Sequence, residues 1–337
     1  MKTSLIRRIT LAICLISCIN IYSCKKDNSS SGSGNETAIA TTEGDDQAQV
    51  SVESDALTDD ASAALEGQAS FSGSSSYSVI TKGTTAVNSI GDANHTSSLV
   101  DSHNLICDAT ITYDTIADQR VITIVYDGTN CWGNRTRNGT VTISMPVGVY
   151  WKDQGAVATI TATNLKITRV RDGKAIVIDG SKTFTNVSGG LLIDLANLQT
   201  ITHTIVSTGI NVTFDNGSKR SWQISKKRVY TYDNGIVITT TGTYNDGTDD
   251  NIAEWGTNRN GNSFKSLITA DKVIRQDCSF RLVSGQNTVK IPSGVTVITY
   301  GLDSSGNPTG CPGEGSYYYK LTWTGNGGLT FTIIAPY

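Results

Sequence analysis

The chain has 337 residues, a formal net charge of −3 and a pI of about 5.6, a balance that argues against a dedicated nucleic-acid or anionic-lipid binder. It contains 33 glycines, five prolines and two methionines, and 17% of its residues are charged. This composition of small polar residues favours short strands and tight turns over a helical fold.

The N-terminal residues 1–23 have the pattern of a secretory signal peptide. A basic start is followed by an apolar run over residues 9–16, which is too short to span a hydrocarbon core of about 30 Å. The run ends at residues 21–24, Ile-Tyr-Ser-Cys, which resemble a lipobox in which Cys24 takes a lipid and becomes the first mature residue. Residues 15–18, Leu-Ile-Ser-Cys, match the same pattern, but only Cys24 is followed at once by a polar segment.

A lipid on Cys24 predicts attachment to a membrane without a membrane-spanning helix. One acyl chain binds a bilayer only marginally, so a stable anchor needs a multiply acylated cysteine. No later segment approaches the roughly 18 uninterrupted apolar residues of a membrane helix.

Residues 24–75 predict a disordered acidic tether. From residue 27 to residue 80 the chain carries many Asp and Glu residues but no Lys or Arg. Low hydrophobicity with charge of one sign does not bury enough apolar surface to offset the entropy of ordering, and self-repulsion extends such a segment. A short helix over residues 59–65 is the alternative within this region.

Residues 76–337 predict an all-β domain, an antiparallel β-sandwich or meander of many short strands. Its clearest element is a hairpin in which Tyr317, Tyr319, Leu321 and Trp323 share one face, before a Gly-Asn-Gly-Gly turn at residues 325–328. Asp-Gly and Asn-Gly turn pairs recur mostly about 10 to 20 residues apart, which leaves little room for parallel crossovers. Residues 190–199 fit either a helix or a buried strand.

A short internal echo raises the possibility of two related halves. Residues 132–139 and 255–261 both run from Trp-Gly to Arg-Asn-Gly. The echo is either a coincidence in a low-complexity β sequence or a duplicated hairpin, which would divide the domain near residues 188–200.

Four cysteines remain after the signal and the proposed anchor: Cys107, Cys131, Cys278 and Cys311. An even set in an exported protein predicts disulfides, and we favour Cys107 with Cys131 and Cys278 with Cys311, because each pair brackets one predicted hairpin region. Each bridge would stabilise the fold by about 3 to 4 kcal/mol in the chain-entropy model. Buried free thiols are the alternative, and the spacing is not that of a zinc site.

Residues that carry out chemistry are scarce. After residue 66 the sequence contains only two glutamates, Glu254 and Glu314. It contains no zinc-hydrolase motif, P-loop, dinucleotide-binding motif or serine-hydrolase motif. We therefore predict no cofactor and no catalytic set. Glu254 with Asp249 or Asp250 is the one local carboxylate cluster that could support a secreted hydrolase.

Two further groups are candidates for ligand binding. Basic residues interleave with aromatic ones over residues 219–230, and Trp222, Tyr230, Trp255 and Glu254 together predict a possible ligand surface; the alternative is a polar face of two strands with tryptophans in the core. The acidic loop with Asp246, Asp249 and Asp250 offers oxygen ligands for Ca²⁺, although its spacing is not that of an EF-hand and a solvated turn is the alternative.

The segments at residues 24–27, 59–66, 110–114, 127–143 and 180–186 resemble a family of lipoproteins common in Bacteroidota, and the match is best over residues 51–186 and looser beyond. The resemblance implies a lipid-anchored protein of the outer membrane, exposed either to the periplasm or at the cell surface, and it implies no reaction. The leading hypothesis is a non-catalytic structural or glycan-binding protein whose partners are the membrane and a cell-surface polymer. A secreted hydrolase, an adhesin and an inhibitor are the alternatives.

Overall fold

A computed structural model describes residues 33–74, 106–312 and 315–337 of the chain. The predicted signal peptide and Cys24 lie outside the described residues. None of the helices among the described residues is long and apolar enough to cross a membrane.

The described elements are a long N-terminal helix, four short helical segments and fourteen strands. The helices are α1 (Ser33–Gly67), α2 (Ala69–Ser72) and α3 (Leu195–Leu198), and two 3₁₀ turns cover Leu192–Asp194 and Gln276–Cys278. The strands are β1 (Ala109–Ile116), β2 (Gln119–Thr129), β3 (Arg135–Pro146), β4 (Ala156–Arg169), β5 (Ala175–Asn186), β6 (Thr200–Phe214), β7 (Lys219–Tyr232), β8 (Ile236–Gly242), β9 (Ile252–Thr257), β10 (Ser263–Arg275), β11 (Arg281–Ile291), β12 (Gly294–Leu302), β13 (Tyr318–Gly325) and β14 (Thr330–Pro336).

The strands form one antiparallel sheet in which nearly every strand pairs with the next one in sequence, so the predicted all-β meander is confirmed. Strands β8 and β9 share one position in this order. Both lie between β7 and β10, because β8 pairs with the C-terminal half of β7 and β9 pairs with its N-terminal half. Several strands exceed ten residues and are longer than the short strands expected from the turn spacing.

The N-terminal acidic segment is where the structure departs most from the sequence prediction. Residues 33–67 form one helix, and most of the described side chains from Ala40 onward are buried. A disordered tether is therefore wrong for residues 33–74. The prediction treated the acids of this segment as unpartnered, whereas Lys and Arg side chains of the sheet neutralise them.

The sheet curls around α1, and two apolar clusters hold the helix inside it. Leu57 and Leu65 pack with inward side chains from strands β1 to β7 and β10. Ala40 belongs to a second cluster with side chains from β11, β12 and β13. Gly44 allows a close approach to β13, because a Cβ at this position would lie 2.1 Å from Leu321 Cδ1. Helix α1 is thus the axis around which the strands are arranged.

The predicted C-terminal hairpin is present as β13 and β14. Tyr319, Leu321 and Trp323 are buried on one face of β13, and Leu321 pairs with Ile333 across the hairpin. Gly328 adopts φ +80° in the turn, a backbone conformation that glycine tolerates without a steric penalty.

Both predicted disulfides are confirmed. Cys107 is bonded to Cys131 and Cys278 to Cys311, with sequence separations of 24 and 33 residues. The first bridge ties the chain before β1 to the turn between β2 and β3. The second ties the 3₁₀ turn before β11 to the connection between β12 and β13.

The internal echo does not correspond to a duplicated hairpin. Trp132 lies in the turn between β2 and β3, whereas Trp255 lies within β9. Conversely, Gly139 lies inside β3 and Gly261 lies in the turn after β9. Residues 188–200 contain a 3₁₀ turn and α3 rather than a buried strand, and the strands on either side, β5 and β6, pair with each other. The sheet is continuous through the suggested boundary.

Candidate functional site

The four residues of the predicted ligand surface do not form one surface. Trp222, Tyr230 and Glu254 are buried inside the sheet, with exposed fractions of 0%, 1% and 0%. Trp255 is half-buried and lies on the opposite, outer face of β9, because successive side chains of a strand point to opposite faces. The prediction was wrong because it grouped Glu254 with Trp255, two successive residues of β9 whose side chains point to opposite faces of the sheet.

The basic patch of residues 219–230 is likewise not a solvent-facing strand edge. Strand β7 is an interior strand of the sheet, paired on both sides. Arg220, Lys226 and Arg228 are buried together with Trp222 and Tyr230 of the same strand. The other two basic residues of β7, Lys219 and Lys227, are exposed. The buried Lys and Arg residues of β7 therefore alternate in step with its apolar side chains and point to the same inner face of the sheet.

The outer face of the sheet carries a groove of about 540 Å³ next to Trp255. The Trp255 ring stacks on the Tyr244 ring, with centroids 4.2 Å apart and planes 14° apart. Tyr244 is 39% exposed. The remainder of the groove is lined by apolar and polar residues of β9, β10, the end of β11, the turn after β11 and the loop before β9: Asp246, Ile252, Gly256, Ser263, Phe264, Lys265, Lys290, Ile291 and Pro292.

Charged side chains border the groove as a linked set. Lys265 Nζ lies 2.6 Å from Asp246 Oδ2 and 2.7 Å from Asp249 Oδ2, and Lys290 also contacts Asp249. The hydrogen bonds from Lys265 lower the pKa of both aspartates and raise the pKa of the lysine. At neutral pH the set presents two ammonium groups and two carboxylates next to the aromatic stack.

This pairing contradicts the calcium interpretation of the acidic loop. Asp246 and Asp249 are both paired with Lys265, Asp249 is also paired with Lys290, and Asp250 accepts a hydrogen bond from the Asn245 side chain. In the part of the chain that the structure describes, the one metal-like cluster contains Asp277, Cys278 and Cys311. Its two sulfurs are bonded to each other and are therefore not thiolate ligands.

The carboxylates proposed for a hydrolase are also separated. Glu254 points into the interior, where Lys226 Nζ lies 2.7 Å from its Oε1 and Ser51 donates a hydrogen bond of 2.8 Å. Asp249 and Asp250 belong to the outer loop before β9. Two carboxyl groups flank a scissile glycosidic bond in most glycosidases, and this pair does not share one cleft.

Inside the sheet, Asp55 of α1 is the centre of a buried charge cluster. Its carboxylate lies 2.9 Å from Lys226 Nζ, 3.0 Å from Lys272 Nζ and 3.4 Å from Arg228 Nη2. Burial opposes ionisation, but the three cations hold the pKa of Asp55 well below its ordinary value. Lys226 is charged for the same reason, since Asp55 and Glu254 outweigh its burial and raise its pKa.

Other contacts continue this cluster along the helix. Arg259 binds Asp46 and Arg169 binds Asp45 toward its N-terminal end, at 2.5 and 2.9 Å. Arg135 binds Glu53 at 2.6 Å, and further contacts join Arg228 to Asp59 and Arg137 to Asp60, both at 2.5 Å. These cations, which come from four strands and one turn of the sheet, thus face one acidic helix.

Some buried titratable groups have no ion pair among the described residues, and Lys182, Glu66 and His203 are three of them. Lys182 Nζ donates to the Ser54 carbonyl and the Thr58 hydroxyl, and burial lowers its pKa to about 7. Burial raises the pKa of Glu66 to about 8 and lowers that of His203 to about 3. His203 lies among the rings of Trp151, Phe184 and Tyr230, which makes it a neutral core residue.

Sequence reasoning missed the cationic interior, although two signals were present. Arg220, Lys226 and Arg228 have the same parity as Trp222 and Tyr230, which marks them as inward in a strand with one buried face. The N-terminal acids without any neighbouring base are the matching signal. Together these two patterns indicate a docked acidic helix rather than a tether.

Comparisons with protein-family models, with curated proteins and with solved structures found no match. The outer groove and the interior charge cluster are therefore the two features that bear on function.

Proposed function

We propose that this protein is an exported, lipid-anchored protein of the outer membrane that binds a glycan in the groove next to Trp255 and catalyses no reaction. The observation that carries the proposal is the stacked Tyr244–Trp255 pair, which opens onto a groove bordered by charged hydrogen-bonding groups. A sugar ring has a flat apolar face and a polar rim, and this arrangement offers a partner for each.

The size and the chemistry of the groove suit such a ligand. A volume of about 540 Å³ falls within the usual range for small-ligand sites, and it would accommodate a short stretch of a polysaccharide. The exposed Tyr244 ring supplies the stacking surface. Lys265, Lys290 and Asp246 supply donors and acceptors at the edge of the groove.

A binding measurement with a matched control tests the glycan proposal. We expect the full chain to bind at least one member of a panel of polysaccharides and cell-wall polymers. Trp255→Ala should weaken that binding by about tenfold, because an aromatic contact contributes about 0.5 to 1.5 kcal/mol beyond the surface that it buries. Trp132→Ala is the control, because Trp132 is 62% exposed and lies in the turn between β2 and β3.

Two results would contradict the glycan proposal. One is the absence of binding to any polymer of the panel by a correctly folded protein, which would leave a structural role. The other is equal binding by wild type and Trp255→Ala, which would place the ligand elsewhere.

The anchor is tested separately from the groove. We expect metabolic labelling with a fatty acid to mark the wild-type protein and Cys18→Ser equally, because the lipobox at Cys24 is intact in both. Cys24→Ser should carry no label and should leave the outer-membrane fraction. Label that persists in Cys24→Ser and disappears in Cys18→Ser would assign the anchor to the earlier cysteine.

A further inference from the structure

The interior of the sheet and helix α1 are complementary in charge. Helix α1 contains nine acidic residues and no Lys or Arg. Arg171 and Lys174, which contact Asp45, are exposed, whereas the other cations in contact with the acids of α1 are largely buried. The largely buried cations are Arg135, Arg137, Arg169, Lys226, Arg228, Arg259 and Lys272. Without α1, Glu254 would be the one carboxylate in direct contact with Lys226 among the described residues. The inward charges of the sheet are thus arranged for an acidic occupant.

Helix α1 is attached to the sheet mainly through side chains. In the described part of the chain, backbone hydrogen bonds to the loop between β3 and β4 come from α2, where the Phe71 carbonyl accepts from Trp151 N–H at 2.7 Å and the Ser72 carbonyl accepts from Lys152 N–H at 3.2 Å. The contacts of α1 are ion pairs, side-chain hydrogen bonds and a small number of apolar residues. Such contacts break without disrupting the backbone ladder of the sheet.

The acidic helix and the cationic interior of the sheet would behave differently in water if they were separated. An acidic segment with few apolar residues has little reason to be helical in water, so α1 owes its helical form to the cations around it. A lining that contains Lys and Arg is readily hydrated, unlike a wholly apolar lining. Solvation therefore lowers the free-energy cost of an interior without α1.

We propose that the interior of the sheet is a binding site for an acidic protein segment, and that α1 is its resident occupant and exchanges with the α1 segment of a second copy of the chain. The proposal is independent of the outer groove. It assigns the Asp55 cluster as the main point of recognition, because three strand cations converge there on one carboxylate.

Hydrogen exchange on the wild-type full chain tests the opening that exchange requires. We expect α1 amides to exchange about tenfold faster in 0.5 M NaCl than in 0.05 M, because salt screens the charges of the helix once it leaves the interior. Amides of β3, β4 and β5 should change less than about twofold. Equal exchange rates for α1 and these strands at every salt concentration would mean that α1 leaves only with global unfolding, which would overturn the proposal.

A labelled peptide with the sequence of residues 33–67 tests recognition directly. We expect it to bind the full chain after a long incubation, to be displaced by unlabelled peptide, and to bind a Lys226→Gln/Lys272→Gln chain at least about tenfold more weakly, since the interior then loses two cations. The matched control peptide carries Asp55→Asn and Asp59→Asn and should bind weakly to the wild-type chain.

The outcomes of the peptide experiment separate the proposal from a purely structural role. Incorporation that depends on the acids of the peptide supports an exchangeable occupant. In one contrary result, the α1 amides exchange by local opening but the wild-type peptide fails to bind the chain. That combination of results would overturn the proposal that the interior recognises the α1 segment of a second copy. Equal binding of the wild-type and control peptides would also overturn it, because charge would not be the determinant.

Discussion

At the scale of single residues, the face of the strand from which a charged side chain projects decides its role. On β7, Lys219 and Lys227 are exposed, whereas Arg220, Lys226 and Arg228 are buried. The alternation is readable from the sequence, and it puts these three cations on the face of Trp222 and Tyr230. Their partners are not readable, because the counter-charges come from residues about 170 positions earlier in the chain. Trp255 and Glu254 are successive residues of one strand, so the alternation separates them once that strand is recognised.

Glu66 provides a test at this scale, because its carboxyl is buried and its pKa is raised to about 8. An unfolded glutamate titrates near 4.3, so between these values the folded state holds a proton that the unfolded state has released. The stability that this group contributes is present at low pH and is lost as the pH rises toward 8. Glu66→Gln keeps a neutral acceptor for Leu192 N–H, which donates to Glu66 at 2.9 Å.

We therefore expect the free energy of unfolding of wild type, relative to Glu66→Gln, to fall by roughly 2 to 4 kcal/mol between pH 5 and pH 8. Urea unfolding of both proteins at the two pH values measures this difference. The titrations of His203 and Lys182 affect both proteins alike and cancel in the comparison. A wild-type to Glu66→Gln difference that is independent of pH would contradict a protonated Glu66.

At the scale of elements, local patterns predicted the strands and failed for the helix. The β13–β14 hairpin and both disulfides follow from alternation, turn residues and cysteine spacing, which are all features of nearby residues. Helix α1 has few apolar residues among its acidic and small polar ones, and its composition describes how the segment would behave alone in water. Its order comes from ion pairs with distant strands, and a local pattern does not contain that information.

Asp55→Asn tests how strongly the strands hold α1. We expect this substitution to destabilise the protein by about 3 to 5 kcal/mol, because it leaves Lys272 and Arg228 with less compensation inside the sheet. Asp271→Asn is the matched control, since Asp271 is the exposed neighbour of Lys272 on β10 and should cost no more than about 0.5 kcal/mol. Urea unfolding measures both variants. Equal effects of the two substitutions would mean that the Asp55 cluster does not contribute to docking.

At the scale of the whole molecule, the helix changes the relation between the anchor and the folded part. The sequence predicts about fifty residues of tether, but α1 begins at Ser33, nine positions after Cys24. Nine residues span at most about 30 Å when fully extended. If Cys24 carries the lipid, the sheet is held near the bilayer at the end where α1 begins, and a long spacer between membrane and domain is absent.

Limited proteolysis distinguishes an enclosed helix from a tether on the intact protein. An enzyme that cuts after acidic residues would remove a disordered tether within minutes, with cuts at Glu43, Asp46, Glu53 and Asp55, and would leave the strands intact. We expect these sites to be cut at least about 100-fold more slowly at low ionic strength than in the urea-unfolded chain, because α1 is enclosed and cleavage requires it to open. Mass spectrometry of the fragments against time gives each rate, and the same sites in urea serve as the internal control. Rapid cleavage confined to residues 43–66, with the strand region still folded, would restore the tether and contradict the enclosed helix.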